Sequence, residues 1–305
     1  MPQRSTLPRI ALLALIWGSA FLWIKLADRG FSPVEVTFAR LTLGAAVLWV
    51  IMLARRERVP HSWRLWAHIA VAALFANALP YLLFAVAEQS VNSSTAGIIN
   101  ATTPLWTMIL ALAVRHQKTV TGWQGGGLIV GFTGALLIFA PWSAGTGIAS
   151  AGGLECLAAS VSYAISYVYM DRYLARRGLS PVTLSACQLL AAAVMLALAL
   201  AVTGARMPHF TAVSFAAIAV LGIIGTGIAY VLNYQIITSE GATVASTVTY
   251  LLPVVALILG VIVLGESVTG VVLAGIAVVL AGVALMRHRG KGGGKNRAKS
   301  SAREP

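Results

Sequence analysis

Asn92-Ser-Ser-Thr-Ala-Gly-Ile-Ile-Asn-Ala-Thr-Thr-Pro104 and its echo Gly241-Ala-Thr-Val-Ala-Ser-Thr-Val-Thr-Tyr-Leu-Leu-Pro253 decide how this chain is read. Each belongs to a membrane-length apolar segment that is rich in small hydroxyl residues and carries one proline. Proline has no amide hydrogen and clashes with the carbonyl four residues earlier, which frees the carbonyls of Asn100 and Thr249. In lipid such groups survive only where protein or a water-filled cavity receives them. The two stretches are therefore expected to face each other across a pathway, with Pro104 and Pro253 as helix breaks at which it flexes.

Composition places the pathway in a membrane. The chain has 305 residues, of which 58% are hydrophobic and 10% charged, with mean hydropathy +0.84. A soluble domain would carry roughly 25% charged residues. Apolar runs of about 20 residues fall at roughly 8–27, 33–53, 65–87, 93–113, 121–140, 152–172, 181–203, 212–235, 242–262 and 268–286. The expectation is an all-α integral membrane protein of ten transmembrane helices. The first run follows Arg4 and Arg9 without a small-x-small cleavage site, so it reads as a retained helix. Cys156 and Cys187 lie inside apolar runs and imply no disulfide framework.

The net charge of +13 raises the question of nucleic acid, and the positions of the cations answer it. With the amino terminus cytoplasmic, 18 of the 22 basic residues fall on the inner side, seven of them after Leu285. Lys25, Arg29 and Arg206 fall outside, and Arg40 lies within a span. This is the positive-inside pattern: both termini cytoplasmic, no nucleic-acid partner, a multi-pass protein of the bacterial inner membrane. Residues 287–305 read as a basic tail too polar to fold.

The chain also repeats itself. Ser32-Pro-Val-Glu-Val-Thr-Phe-Ala-Arg-Leu recurs 148 residues later as Ser180-Pro-Val-Thr-Leu-Ser-Ala-Cys-Gln-Leu. At a shift of 149, Tyr81 falls on Tyr230, Ser90 on Ser239, Ala96 on Ala245 and Pro104 on Pro253; at 148, Gly127 falls on Gly275 and Gly134 on Gly282. Residues 1–143 and 144–286 thus form two five-helix repeats. Five is odd, so the second enters the membrane from the other side. Inverted repeats of this kind belong to alternating-access transporters with a midplane site.

Trp17-Gly-Ser, Phe38-Ala-Arg40, Thr103-Pro-Leu, Pro253-Val-Val-Ala256 and Leu264-Gly-Glu266 fall in that order along the chain. In these the sequence resembles the EamA family of the drug/metabolite transporter superfamily, over roughly residues 8–286. Within the family it looks most like bacterial exporters of aromatic amino acids of the YddG type. The resemblance implies an exporter of amino acids and related metabolites, with no cofactor. Gln117 departs from the pattern, since many members carry a glutamate there to match Glu266.

The nine acidic residues lie in loops, in the tail or near helix ends, and the five histidines do likewise. A pump for organic cations needs a buried anion, and proton pumps commonly use buried carboxylate or histidine relays. A neutral or zwitterionic solute fits better. Arg40, about seven residues or ~10 Å inside the outer surface, is placed either to meet a substrate carboxylate or to serve a structural role. Trp17, Asn77, Tyr81, Asn100, Tyr163, Tyr167, Gln188, Tyr230 and Tyr250 are the other candidate substrate-binding residues, with Asn233 beside them. Each is polar or aromatic at mid-helix depth, and ligand pockets join apolar walls to a few polar groups. Each also has a packing alternative.

Neither a metal site nor a catalytic constellation is expected. No HExxH pair, paired deep carboxylates or Ser/His arrangement lies inside the spans, which argues against an intramembrane enzyme. The alternative substrate is another small solute, such as a drug or nucleotide sugar. Anionic nucleotides would call for several basic midplane residues, and only Arg40 is present. Gly127-Leu-Ile-Val-Gly131, extended by Gly122, Gly126 and Gly134, forms a small face suited to close helix packing, expected inside the fold more than in a dimer. The protein is read as a monomer or weak dimer in the bilayer.

Overall fold

The computed structural model describes residues 6–27, 29–87, 90, 93–115, 121–139, 150–175, 177–203, 211–252, 254–255 and 270–287. Ten helical segments run through them: α1 (Thr6–Ala27), α2 (Pro33–Ala54), α3 (from Trp63–Ala73 through a π-helical turn at Leu74–Ala78 to Leu79–Ala87), α4 (Ser93–Asn100 and Thr103–Ala113), α5 (Gly122–Phe139), α6 (Ala151–Tyr173), α7 (Pro181–Thr203), α8 (from Ala212–Gly222 through a second π turn at Ile223–Ile228 to Ala229–Glu240), α9 (beginning at Ala242–Ser246) and α10 (Gly270–Arg287). Pro33–Ala54, Trp63–Phe84, Pro181–Ala201 and Ala212–Glu240 are long and apolar enough to cross a membrane by length and composition. Residues 116–120, 140–149, 253, 256–269 and 288–305 lie outside the described set, and with them Gln117, Pro253, Glu266 and the basic tail.

The repeated Ser-Pro motif starts α2 and α7 alike, with a telling difference. In α2, Ser32 Oγ accepts the Glu35 amide and Glu35 Oε2 accepts the Ser32 amide at 2.8 Å, a complete capping box. In α7 the residue equivalent to Glu35 is Thr183, and the carboxylate comes from Glu57 in the α2–α3 connection. Glu57 Oε2 accepts from both the Ser180 hydroxyl and Thr183 Oγ1, the latter at 2.6 Å. An acid missing from the second copy is thus supplied by the first half. The start of α9 is held likewise by Asp171 at the end of α6, whose Oδ2 accepts the Ala242 amide at 3.2 Å. Gly241 makes that α8–α9 turn at φ +86°, a region only glycine enters freely.

Helix pairing respects the repeat. α1 packs on α8 as α6 packs on α3; α2 packs on its mate α7, α4 on α9, and α5 on α10. A Cβ added at Gly127 would sit 2.7 Å from the Gly282 carbonyl, and one at Gly134 would sit 2.8 Å from the Gly275 carbonyl. Numbers rise along α5 as they fall along α10, so these equivalent helices are antiparallel. Such contact needs residues without side chains. Gly122 and Gly126, expected to extend this face, lie off it, with nothing within 4 Å of an added Cβ.

The broken helices differ from expectation in register. In α4 the turn falls at Ala101–Thr102, and the carbonyl served by side chains is that of Ile99, one residue before Asn100. It accepts from Thr102 Oγ1 at 2.6 Å and from Ser160 Oγ of α6 at 3.0 Å. In α9 the turn falls at Thr247. There the hydroxyls of Ser246, Thr247 and Thr249 each donate to the carbonyl three residues back, at 2.9, 2.7 and 2.8 Å. Short hydroxyl side chains satisfy the loosened backbone locally, which is why these stretches are rich in serine and threonine.

Candidate transport cavity

The two π turns coincide under the repeat: Leu74 falls on Ile223, Ala76 on Gly225 and Asn77 on Thr226. A π turn inserts an extra residue and leaves carbonyls poorly served, and such turns often mark functional sites. Here aromatic donors from the other half serve them. Tyr230 OH donates to the Ala76 carbonyl at 2.7 Å, and Trp17 Nε1–H donates to the equivalent Gly225 carbonyl at 3.2 Å. Ser162 Oγ donates to the Phe75 carbonyl at 2.8 Å. Each π turn thereby ties its half to the other and fixes an aromatic ring beside the space between them.

That space is a cavity of about 310 Å³. Seven of the residues singled out from sequence line it: Trp17, Arg40, Tyr81, Asn100, Tyr163, Tyr167 and Tyr230, together with Asn233. The rings form two packed groups in the wall. Trp17 meets Tyr230 edge-on at 6.1 Å, Tyr81 meets Tyr163 edge-on at 6.5 Å, and Phe84 stacks on Tyr163 at 6.1 Å. Edge-to-face pairs at such spacings are favourable, so the wall is preformed.

Among the described residues lining the cavity, Arg40 is the only charged one. It is 8% exposed. Its Nε–H donates to Thr226 Oγ1 at 3.0 Å, and its guanidinium carbon lies 4.5 Å from the centre of the Tyr81 ring. Thr226 in turn donates to the Leu221 carbonyl at 2.9 Å, opened by the π turn. The arginine is anchored by a neutral hydroxyl and a ring face, and among the described residues no carboxylate pairs with it.

Asn77, Gln188 and Tyr250 do not line this cavity. Gln188 Nε2 donates to Asn77 Oδ1 at 2.8 Å, and Tyr234 OH donates to Gln188 Oε1. Asn77 and Gln188 are both 0% exposed. Gln188 is the repeat equivalent of Arg40 and Asn77 that of Thr226, so this buried pair is the second copy of the Arg40–Thr226 contact. Tyr250 instead reaches sideways to the Leu128 carbonyl at 3.1 Å and lies over Gly131 of α5. Thr37, Phe84 and Ser166 line the cavity without having been singled out. Thr37 and Ser166 donate to backbone carbonyls of their own helices, a use that sequence cannot separate from a cavity role. Thr226 carried one readable signal, its equivalence to Asn77.

Comparison with known proteins agrees with this architecture. The chain is 27% identical over 296 residues to the inner membrane transporter YedA of Escherichia coli (strain K12), covering 94% of this chain and 92% of that one. It is 26% identical to the transporter YdfC of Bacillus subtilis (strain 168), covering 90% and 88%. It is 28% identical to the S-adenosylmethionine/S-adenosylhomocysteine transporter of Chlamydia trachomatis (serovar D), covering 92% and 88%. A crystal structure 22% identical shares the fold with TM-score 0.77 over 93% of this chain and 96% of that one. Relatives named as inner membrane transporters and the apolar helices make this a multi-pass protein of the bacterial inner membrane. The EamA-like transporter family matches residues 7–140 and again 150–287, and the chain belongs to that family.

Proposed function

We propose that this transporter exports α-amino acids with aromatic or other apolar side chains, by alternating access between the halves 1–143 and 144–286. The observation that carries the reading is Arg40: a buried guanidinium without an acidic partner among the described residues, set in a cavity walled by tyrosine and tryptophan rings. A guanidinium fork suits a carboxylate, and the rings suit an apolar or aromatic side chain. The absence of an acid among the described lining residues disfavours solutes that are purely cationic. The chlamydial relative is named for solutes that themselves carry an α-amino carboxylate head, which supports the same head group here; an S-adenosyl amino acid is the second reading.

Export is tested in cells. Induced expression is expected to raise resistance to 4-fluorophenylalanine, because the analogue is removed before it enters new protein. The Arg40→Gln variant, present in the membrane at equal level, is expected to lose that resistance. Unchanged sensitivity with the wild-type protein in the membrane would contradict the reading.

A further inference from the structure

Asn233 sits in the cavity wall with its amide uncommitted. It is 3% exposed, lines the cavity, and its side-chain oxygen is occluded without a hydrogen-bond partner. The other cavity carboxamide, Asn100, accepts from Thr103 Oγ1 at 3.3 Å. A buried polar atom left unpaired calls for an explanation, and nothing in the packing of α8 provides one. Asn233 follows Tyr230 by three residues, which puts the two on one helix face, and follows Thr226, the anchor of Arg40, by seven. Seven residues of helix rise span about 10 Å. A head group that accepts one hydrogen bond and donates another bridges about 9 Å between protein atoms.

The charge pattern completes the argument. Arg40 supplies the cation for a carboxylate, but among the described residues no acid lines the cavity for an ammonium group. That partner must be a neutral oxygen, and a carboxamide turned by 180° presents its oxygen where its nitrogen was. We infer that Asn233 accepts a hydrogen bond from the α-ammonium group of the solute whose carboxylate Arg40 holds, so the cavity selects amino acids over the same acids lacking the amino group. The inference rests on the amino-acid reading above and assigns Asn233 the role of a specificity-determining residue within it.

The experiment is uptake of labelled phenylalanine and of labelled 3-phenylpropanoate into proteoliposomes, measured on wild type, Asn233→Leu and Asn233→Asp. Wild type is expected to favour phenylalanine at least tenfold. Asn233→Leu should lower the phenylalanine-to-phenylpropanoate ratio about tenfold. Asn233→Asp should keep or raise that ratio and admit phenylalanine methyl ester, a cation, because it places an anion where the ammonium sits. Monodisperse elution of each variant in detergent confirms folding, and the aspartate variant keeps the test open should the leucine variant fail to fold. Wild type that moves phenylalanine without discriminating, or a leucine variant that still discriminates, would overturn the role of Asn233 and leave the amino-acid reading standing. Wild type that moves neither solute would overturn both.

Discussion

Arg40 and Gln188 occupy equivalent places in the two halves, and the chemistry at each follows from one side chain. Gln188 is neutral and uses both ends of its amide, giving to Asn77 and receiving from Tyr234, and it is fully buried away from the cavity. Arg40 has five donors, of which Thr226 takes one. The rest of the guanidinium faces the ring of Tyr81 and the cavity. Lysine in its place would keep the charge but lose the planar fork and the stacking. Arg40→Lys is therefore expected to raise the KM for a carboxylate solute about tenfold, equivalent to ~1.4 kcal/mol, and kinetics in proteoliposomes would show it. A KM equal to wild type would mean that the charge alone suffices.

At the scale of elements, apolar length and repeated motifs made most of the helices legible. The Ser-Pro starts of α2 and α7 and the glycines shared by α5 and α10 were readable because capping and close approach demand particular residue types. Other features left no mark in sequence. Nothing in Leu-Phe-Ala-Asn-Ala at 74–78 announces a π turn, since an inserted residue changes geometry rather than composition. Asn77, Gln188 and Tyr250 are polar at membrane depth just as the cavity residues are, and only the fold shows that Asn77 and Gln188 bond one another and that Tyr250 bonds a distant carbonyl.

The α5–α10 contact yields a paired prediction. A Cβ added at Gly282 would overlap the Gly131 backbone, whereas one added at Gly126 meets nothing within 4 Å. Gly282→Leu is expected to destabilise the protein by about 1–3 kcal/mol or more, lowering the melting temperature in detergent. Gly126→Ala should leave it unchanged or raise it slightly, since alanine favours helix by up to ~1 kcal/mol. A similar loss in both would place the close contact elsewhere. Pro104 sits at the second position of the resumed α4, just after the turn that Ser160 and Thr102 hold open. Pro104→Ala lets that turn close into regular helix, so turnover is expected to fall several-fold more than substrate affinity. Transport at the wild-type rate would remove the hinge role.

Across the whole molecule the same pairings recur with the halves exchanged, and equivalent helices run antiparallel where glycines bring them together. The charge pattern of the sequence predicts an orientation with both termini cytoplasmic. Cysteine at exposed Arg29 should react with a membrane-impermeant maleimide in intact spheroplasts, and cysteine at Ser300 only after permeabilisation. The native Cys156 and Cys187 are both buried and give little background. Labelling of Ser300→Cys in intact spheroplasts would reverse the orientation.

The cavity between the halves, with Arg40 in its wall, is the centre of the account, and counterflow tests it most directly. Proteoliposomes of the purified protein preloaded with unlabelled phenylalanine are predicted to accumulate external labelled phenylalanine transiently above protein-free vesicles, and those bearing Arg40→Gln to do so at least tenfold less. Accumulation no greater than in protein-free vesicles, or equal accumulation by the variant, would contradict it.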